Sequence, residues 1–343
     1  MRVALVGYGL AGRVFHGPLV TGAGLELSVV VTGRADRQAE VRADHPRAEV
    51  LPASAELFAR PDPYDLLVIA APGDVHASLA LASIAIGKAV VVDKPLALMS
   101  QSAADVVTAA EAAQVPLTVF QNRRWDSDQL TLQRLLTDGT MGTVLRFESR
   151  FERWRPEPRP EAWRERLPAA EGGGLLLDLG SHLVDQALHL FGPAASVYAE
   201  LDSRRGLSDD DGFVAIEHVG GVRSHLWVGA LAGAPGPRLR VLGSQGAYVV
   251  DLLDGQEDEL RAAGRLPVGG LPVPPERDGR FVRGDAEEPV LSEPGRWDLF
   301  YPAVAAAVRG EGAMPVDPRD AVRTLQVIEA ARTSAAERRV VQL

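Results

Sequence analysis

Residues 1–37 read MRVALVGYGLAGRVFHGPLVTGAGLELSVVVTGRADR, and this stretch decides the fold. Arg2 to Val6 is a short apolar run that reads as a buried parallel strand. Gly7, Gly9 and Gly12 follow at the spacing G-x-G-x-x-G, and Arg13 to Val20 has the pattern of a helix. Gly22 and Gly24 break that helix before a second strand, Leu25 to Val31. A strand, a glycine turn, a helix and a second strand form the context that a dinucleotide-binding turn requires. Gly7 would permit the tight turn, Gly9 would let the backbone approach a pyrophosphate, and Gly12 would let helix and strand pack closely. The whole turn, Gly7, Tyr8, Gly9, Leu10, Ala11 and Gly12, is thus expected to line a dinucleotide, with the helix N-terminus offering N–H donors to its phosphates.

The tip of the second strand bears on which cofactor is used. An NAD site places an acid about 20 residues past the glycines, on the ribose 2′-hydroxyl. Here the tip reads Thr32, Gly33, Arg34, Ala35, Asp36, Arg37. The strand ends without an acid and two arginines follow, so Thr32, Arg34 and Arg37 favour the 2′-phosphate of NADP. The alternative is NAD, with Asp36 as the ribose ligand.

Further along, strands and helices keep alternating. Leu66–Ala71 and Ala89–Val92 read as strands, Val75–Ile86 and Ala103–Ala113 as helices, and Leu117–Phe120 as a further strand. That order predicts a doubly wound parallel sheet over residues 1–121. Ligands of such sheets lie at the carboxyl ends of the strands. Gly7, Thr32, Ala71-Pro72, Asp93 and Asn122 all fall there, with His76 just beyond the third of these ends.

Composition narrows the function classes. The chain has 343 residues, with 36 Lys+Arg against 46 Asp+Glu, a formal net charge of −10. An acidic chain without a basic run argues against nucleic acid as a partner. No run of 18 apolar residues argues for a membrane span, and the N-terminus lacks a secretory pattern, so a cytoplasmic protein is expected. With no Cys, disulfides, a thiolate nucleophile and thiolate metal sites are excluded. Only Lys88 and Lys94 are lysines, the other 34 basic residues being Arg. A retained Lys marks a place where a compact charge serves better than a planar fork.

From residue 143 the pattern changes, and a second unit over 122–343 is expected. Leu145, Phe147 and Phe151 alternate with Arg146, Glu148 and Arg150, the signature of a half-buried strand. Phe213–His218 and Val222–Val228 read as strands joined across Gly220-Gly221, and Leu239–Leu242 and Ala247–Leu252 as two more. These strands predict an open, mostly antiparallel sheet, so the class is α/β with a C-terminal α+β unit. Residues 155–170 read as a loop or lid, and 264–296 as a long loop without periodicity. Asp317-Pro318 reads as N-cap and first residue of a final helix over about 317–338 that could pack back on the first unit.

The densest polar set is Gly172-Gly173-Gly174 followed by LLLDLGSHLVD, ending at Asp185. On one helix, Asp178, His182 and Asp185 would share a face. His182 can exchange a proton near neutral pH, and a carboxylate a turn away could orient it or relay the proton. His182, Asp185 and His189 could ligate one ion only if all faced a cavity, and with no further cluster nearby no metal is expected.

These pieces together resemble the Gfo/Idh/MocA oxidoreductases. The resemblance rests on the GYGLAG turn, on Asp93-Lys94-Pro95 at the position of the family's EKP tripeptide, and on the GGxxxDxGxHxxD run at 173–185. GYGLAGRVFHGPL, QNRRWDSD (121–128) and GLLLDLGSHLVDQALHLFG (174–192) are most similar to its NADP-dependent scyllo-inositol dehydrogenase branch. The resemblance implies a catalytic set of Lys94, Asp178 and His182. It also implies reversible hydride transfer between NAD(P) and a polyol or sugar, and a homodimer or homotetramer built through the second sheet. Asn122 and Arg124 are then expected beside the cofactor, with Arg123 between them by the nicotinamide and substrate. Trp125, Arg153 and Trp163, with Asp178 and His182, are expected beside the substrate. Two departures stand out: Asp93 replaces the usual Glu, and Gly73 stands where the family often has Asn. A cofactor-binding sensor without catalysis and an NAD-dependent glycosidase of the same fold are the competing readings.

Overall fold

The structure is a computed structural model that describes residues 1–60, 62–158, 167–206 and 208–343. Its first sheet has six strands in the order β3-β2-β1-β4-β5-β6. They are β1 (Arg2–Val6), β2 (Glu26–Val31), β3 (Glu49–Leu51), β4 (Leu66–Ile69), β5 (Ala89–Asp93) and β6 (Leu117–Phe120), every pairing parallel. The apolar runs behave as their composition requires. All four residues of β4 and of β6 are buried, because helices cover both faces. The connections are α1 (Gly17–Gly22), α2 (Ala35–Asp44), α3 (Ser54–Phe58), α4 (His76–Ala85) and α5 (Ser100–Ala113). A π-helical segment, Ala11–His16, runs straight into α1, so the helix after the glycine turn starts earlier than its apolar pattern suggests.

A short helix α6 (Ser127–Thr137) leads into the second sheet, of nine strands in the order β14-β13-β12-β11-β7-β10-β9-β8-β15. Its centre is β7 (Val144–Glu152), flanked by β10 (Arg223–Gly229) and β11 (Leu239–Gly243). The others are β8 (Ala194–Asp202), β9 (Asp211–His218), β12 (Gly246–Val250), β13 (Gly279–Arg283), β14 (Ala286–Val290) and β15 (Val341–Gln342). The sheet is antiparallel except where β7 meets β10. One face carries Val214, Ile216, Leu226 and Val228 into the core beneath helix α7 (Ser181–Phe191) and the final helix α10 (Pro318–Glu337).

Two expectations are corrected here. Residues 264–296 are not a structureless loop, since β13 and β14 form a hairpin on the sheet edge. Its sequence, GRFVR and AEEPV, is too charged to show the alternation of a half-buried strand. The alternation along β7 also misassigns two positions. Leu145 is 56% exposed, whereas Glu148 is 2% exposed. Glu148 is covered by arginines: Arg240 donates to both its oxygens at 2.7 and 2.9 Å, Arg150 to one at 3.1 Å, and Arg146 lies at 2.9 Å. Paired in this way, a carboxylate is buried at little cost that hydropathy can register.

The two halves of the chain are interleaved. Helices α8 (Gln256–Ala263) and α9 (Phe300–Val308) come from the later half, yet Leu260, Trp297, Phe300, Tyr301 and Val304 share a core with β1, β2, β4 and β5. The final helix α10 begins as expected: the Asp317 carboxylate accepts the Arg319 N–H at 2.9 Å. It packs on α5 as well as on the second sheet, and Glu329 accepts from both the N–H and the hydroxyl of Ser100 at 2.6 Å.

Candidate active site

The glycine turn comes first. Gly7 has φ +99°, and a Cβ there would lie 2.4 Å from the Ala70 carbonyl oxygen. A Cβ on Gly12 would lie 2.0 Å from the Gly7 carbonyl oxygen. These two glycines are required by the fold itself. Gly9 differs: the nearest atom to its Cβ position is a guanidinium nitrogen of Arg37, at 3.6 Å. The backbone at Gly9 is thus open on the side a ligand would approach, with a cation over it. This is the space and charge that a pyrophosphate or ribose phosphate needs, so the residues present fit a dinucleotide. At the tip of β2, Thr32 is buried. Arg34 and Asp36, the competing signals for NADP and NAD, are joined to each other at 2.5 and 3.0 Å on the surface. Arg34 holds the Asp36 carboxyl down at about 2.

At the ends of β4 and β5, His76 joins two turns. One ring nitrogen lies 2.8 Å from the Ala71 carbonyl oxygen and the other 2.7 Å from that of Pro95. His76 therefore ties the Ala71-Pro72 turn to the Asp93-Lys94-Pro95 turn, and its ring is 2% exposed. His76, expected as a cofactor contact, has both ring nitrogens committed to backbone oxygens and so braces these turns. Asp93 closes its own turn, accepting the Lys94 N–H at 2.8 Å.

Lys94 reaches the second unit. Its ammonium donates to the Asp178 carboxylate at 3.0 Å and to the Asp178 carbonyl oxygen at 2.5 Å. Asp178 sits in a π-helical segment, Leu176–Gly180, that runs directly into α7. The wider turn presents both the backbone oxygen and the side chain of Asp178 to one ammonium, and π segments of this kind often mark functional sites. One turn on, His182 is 7% exposed, and its Nδ1 is buried without a hydrogen-bond partner. Burial, and then the charges of Lys94, Arg123 and Arg238, hold the imidazole well below its ordinary 6.5. His182 is therefore a neutral ring at physiological pH, able to accept a proton. Lys94, Asp178 and His182, chosen from sequence, converge across the two units.

Arg124, expected beside the cofactor, is engaged by carboxylates. It is bidentate on Asp185 at 2.6 and 2.8 Å and also donates to Asp320 of α10 at 3.0 Å, which makes it a buried clamp between units. Asp185 is thereby engaged away from His182, and among the described residues no group of three His, Asp or Glu could hold a metal ion. Burial and Arg124 lower the His189 imidazole. Trp125 packs edge-on against Phe300, with ring centroids 5.7 Å apart, as a packing residue of the second core. Asn122 is buried just past β6. Arg153 follows β7, its N–H bonded to the Gly229 carbonyl at 2.9 Å. Trp163 lies outside the described residues.

Arg123 was expected near the substrate, but Arg238 was missed. Arg123 and Arg238 lie over the Phe151 ring at 5.1 and 4.4 Å, and the same ring packs edge-on to His182 with centroids 6.2 Å apart. Arg123 stood within the QNRRWDSD motif, but nothing near Arg238 in the sequence singled it out.

Comparison with known proteins fits this geometry. The pattern of an oxidoreductase family with an NAD-binding Rossmann fold matches residues 1–121, and that of the GFO/IDH/MocA C-terminal domain matches 129–249. An uncharacterised oxidoreductase of Escherichia coli K12, YdgJ, is 40% identical over 346 residues, covering 98% of this chain and 97% of its own. The chain belongs to the GFO/IDH/MocA family. Another GFO/IDH/MocA relative, the NADP(+)-dependent scyllo-inositol 2-dehydrogenase IolW of Bacillus subtilis, is 34% identical, covering 100% of this chain and 96% of its own. The structure of YvaA, a candidate oxidoreductase of Bacillus subtilis, superposes with a TM-score of 0.90 at 32% identity over 100% of this chain and 98% of that one. That of YPO2259 from Yersinia pestis, also a candidate oxidoreductase, gives 0.90 at 37% identity over 100% and 97%. As a GFO/IDH/MocA member the chain is an NAD(P)-binding oxidoreductase of dehydrogenase type. Among the described residues no helix is long and apolar enough to cross a membrane.

Proposed function

We propose that this enzyme transfers hydride between NADP and a secondary alcohol or ketone of a cyclitol or sugar, with scyllo-inositol as the first candidate. The carrying observation is the convergence of Lys94, bonded to Asp178, with a buried neutral His182 that has a ring nitrogen uncommitted to the protein. The likeness to IolW supports a cyclitol. The absence of an acid at the tip of β2, with Arg37 over Gly9, supports NADP.

Gly7–Gly12, with Thr32, Arg34 and Arg37 toward the ribose phosphate, would hold NADP, which would supply the hydride acceptor. In the oxidising direction His182 takes the proton of the reacting hydroxyl, which its neutral state allows. Lys94 donates to the same oxygen and stabilises the negative charge that develops there. Asp178 holds the Lys94 ammonium in place through both of its acceptors and offers its carboxylate to a neighbouring hydroxyl. In the reducing direction His182 must first be protonated, which its lowered pKa makes harder, so the alcohol-oxidising direction is favoured by rising pH.

The exposed face of the second sheet is proposed as the subunit interface. It carries an aromatic set, Phe213 and Trp227 with centroids 5.1 Å apart, and the Arg150 guanidinium lies 3.8 Å from the Trp227 ring. A dimer or tetramer assembled there would cover it.

The direct test is reduction of NADP with a panel of inositols and aldoses. Turnover with one cyclitol, and a much lower rate with NAD, is the expected result. Reduction of NAD alone, or turnover confined to substrates without a secondary alcohol, would overturn the reading.

A further inference from the structure

We propose that His16 is a positioning residue for the catalytic lysine: its Nε2–H holds the outer oxygen of Asp93, and Tyr301 sets the tautomer that places the proton there. This extends the assignment of Lys94 as donor to the substrate oxygen and rests on it.

His16 ends the π-helical segment after the glycine turn and has no exposed surface. Its Nδ1 is 2.6 Å from the Tyr301 hydroxyl of α9. Its Nε2 is buried without a hydrogen-bond partner and lies 3.9 Å from the outer oxygen of Asp93. The inner oxygen of Asp93 already accepts the Lys94 N–H at 2.8 Å. The ring is wedged by Phe120 at 4.5 Å and Tyr301 at 6.1 Å between centroids. These contacts leave the imidazole little freedom to turn.

The tautomer follows from what each nitrogen faces. A hydroxyl can donate or accept, but a carboxylate can only accept. If Nδ1 carried the proton, the bare Nε2 lone pair would face the Asp93 carboxylate in a buried setting. If the Tyr301 O–H donates to Nδ1, the proton sits on Nε2 and points at that carboxylate. Burial, followed by the charge of Asp93, holds the Tyr301 hydroxyl well above its ordinary pKa, so it keeps its proton to donate. Burial alone would raise the Asp93 carboxyl, yet the neighbouring His16, then Lys94 and His76, bring it below its ordinary value. At 3.9 Å the His16–Asp93 contact is an ion-pair distance rather than a formed hydrogen bond, and a shift of roughly 1 Å would close it.

The consequence is mechanical. Once that contact closes, both carboxylate oxygens are held, and Asp93 fixes the turn from which Lys94 projects toward Asp178. One side chain then ties the glycine turn, the Lys94 turn and α9 together. The link acts through Asp93 and its turn, and His16 hydrogen-bonds to none of Lys94, Asp178 and His182.

Two experiments on the full-length protein test it. The first is long-range proton–nitrogen NMR of the chain with nitrogen-15 in its seven histidines, His16 being assigned by its loss in His16→Asn. An Nε2–H ring, altered in Tyr301→Phe, is the expected result, and an Nδ1–H ring overturns the proposal. The second is a double-mutant cycle. His16→Asn should lower kcat about tenfold or more, with the KM for NADP changed less than about threefold. In an Asp93→Asn background the same change should cost less than about twofold, because the link is already gone. His16→Gln, whose amide N–H reaches the Nε2 position, should restore kcat to within about threefold of wild type. Additive losses, or failure of Gln to rescue in a protein that melts as wild type does, overturn the positioning role. If the wild type oxidises no alcohol, it is the dehydrogenase reading that fails, and the tautomer still decides the question for His16.

Discussion

At the scale of single residues, the account turns on His182. Its imidazole must be neutral to take a proton, and burial with Lys94, Arg123 and Arg238 keeps it so below 6.5. The sign is fixed: activity in alcohol oxidation is present above the folded-state pKa and lost as pH falls through it. The kcat/KM profile should therefore be flat down through pH 6.5 and fall only below that value. An acid limb centred at or above it would show that another group titrates. His182→Ala should lower kcat by about 100-fold or more, the range of general base catalysis, while NADP binding measured by fluorescence persists. Arg34→Ala should raise the KM for NADP far more than that for NAD, whereas equal effects on both would remove the 2′-phosphate assignment. Arg124 poses a different question. Because it clamps Asp185 and Asp320, Arg124→Leu should destabilise the protein in urea by about 3–5 kcal/mol, the cost of leaving a buried charge unpaired. The dissociation constant for NADP should change less than about threefold. A large loss of affinity without loss of stability would return Arg124 to the cofactor.

At the scale of elements, the glycine turn separates two kinds of glycine. Gly7 and Gly12 are needed because a Cβ would strike backbone oxygens at 2.4 and 2.0 Å. Gly9 is needed only if a ligand comes close. Gly9→Ala should therefore leave the melting temperature within about 2 °C of wild type, a change of well under 1 kcal/mol. It should weaken NADP binding about tenfold or more, a loss of at least about 1.4 kcal/mol. A large drop in melting temperature with intact binding would contradict that division. The same turn shows why so much of the first sheet was legible. Uninterrupted apolar runs stopped by Gly or Pro occur in parallel strands buried on both faces. The second sheet was less legible at its edge. The β13–β14 hairpin exposes its charged residues, and Glu148 is buried only because Arg146, Arg150 and Arg240 surround it. Arg146 and Arg150 flank Glu148 two residues away on β7, but Arg240, which grips both its oxygens, comes from β11, so the local pattern carries only part of the information. Arg238 near His182 and Tyr301 behind His16 were invisible for the same reason: each is brought to its place by tertiary contact alone. Lys94, Asp178 and His182 were legible because each lies in a short motif that the fold then assembles.

At the scale of the whole molecule, the two units share one site and one core. Lys94 comes from the first sheet, Asp178 and His182 from the second unit, and α9 from the later half packs behind the glycine turn. The reaction geometry thus depends on the two units keeping their docking, which Arg124 and Glu329 maintain through α10. The open sheet face is the molecule's other large feature. Trp227→Glu should convert an oligomer to a single chain in light-scattering chromatography, and an unchanged mass would place the subunit contact elsewhere. The most direct test of the central claim is the near-ultraviolet appearance of reduced nicotinamide when wild-type protein and His182→Ala are each mixed with NADP and the proposed cyclitol. The account predicts NADPH formation by wild type, and at least about 100-fold slower formation by the variant. Equal rates from both proteins would contradict it.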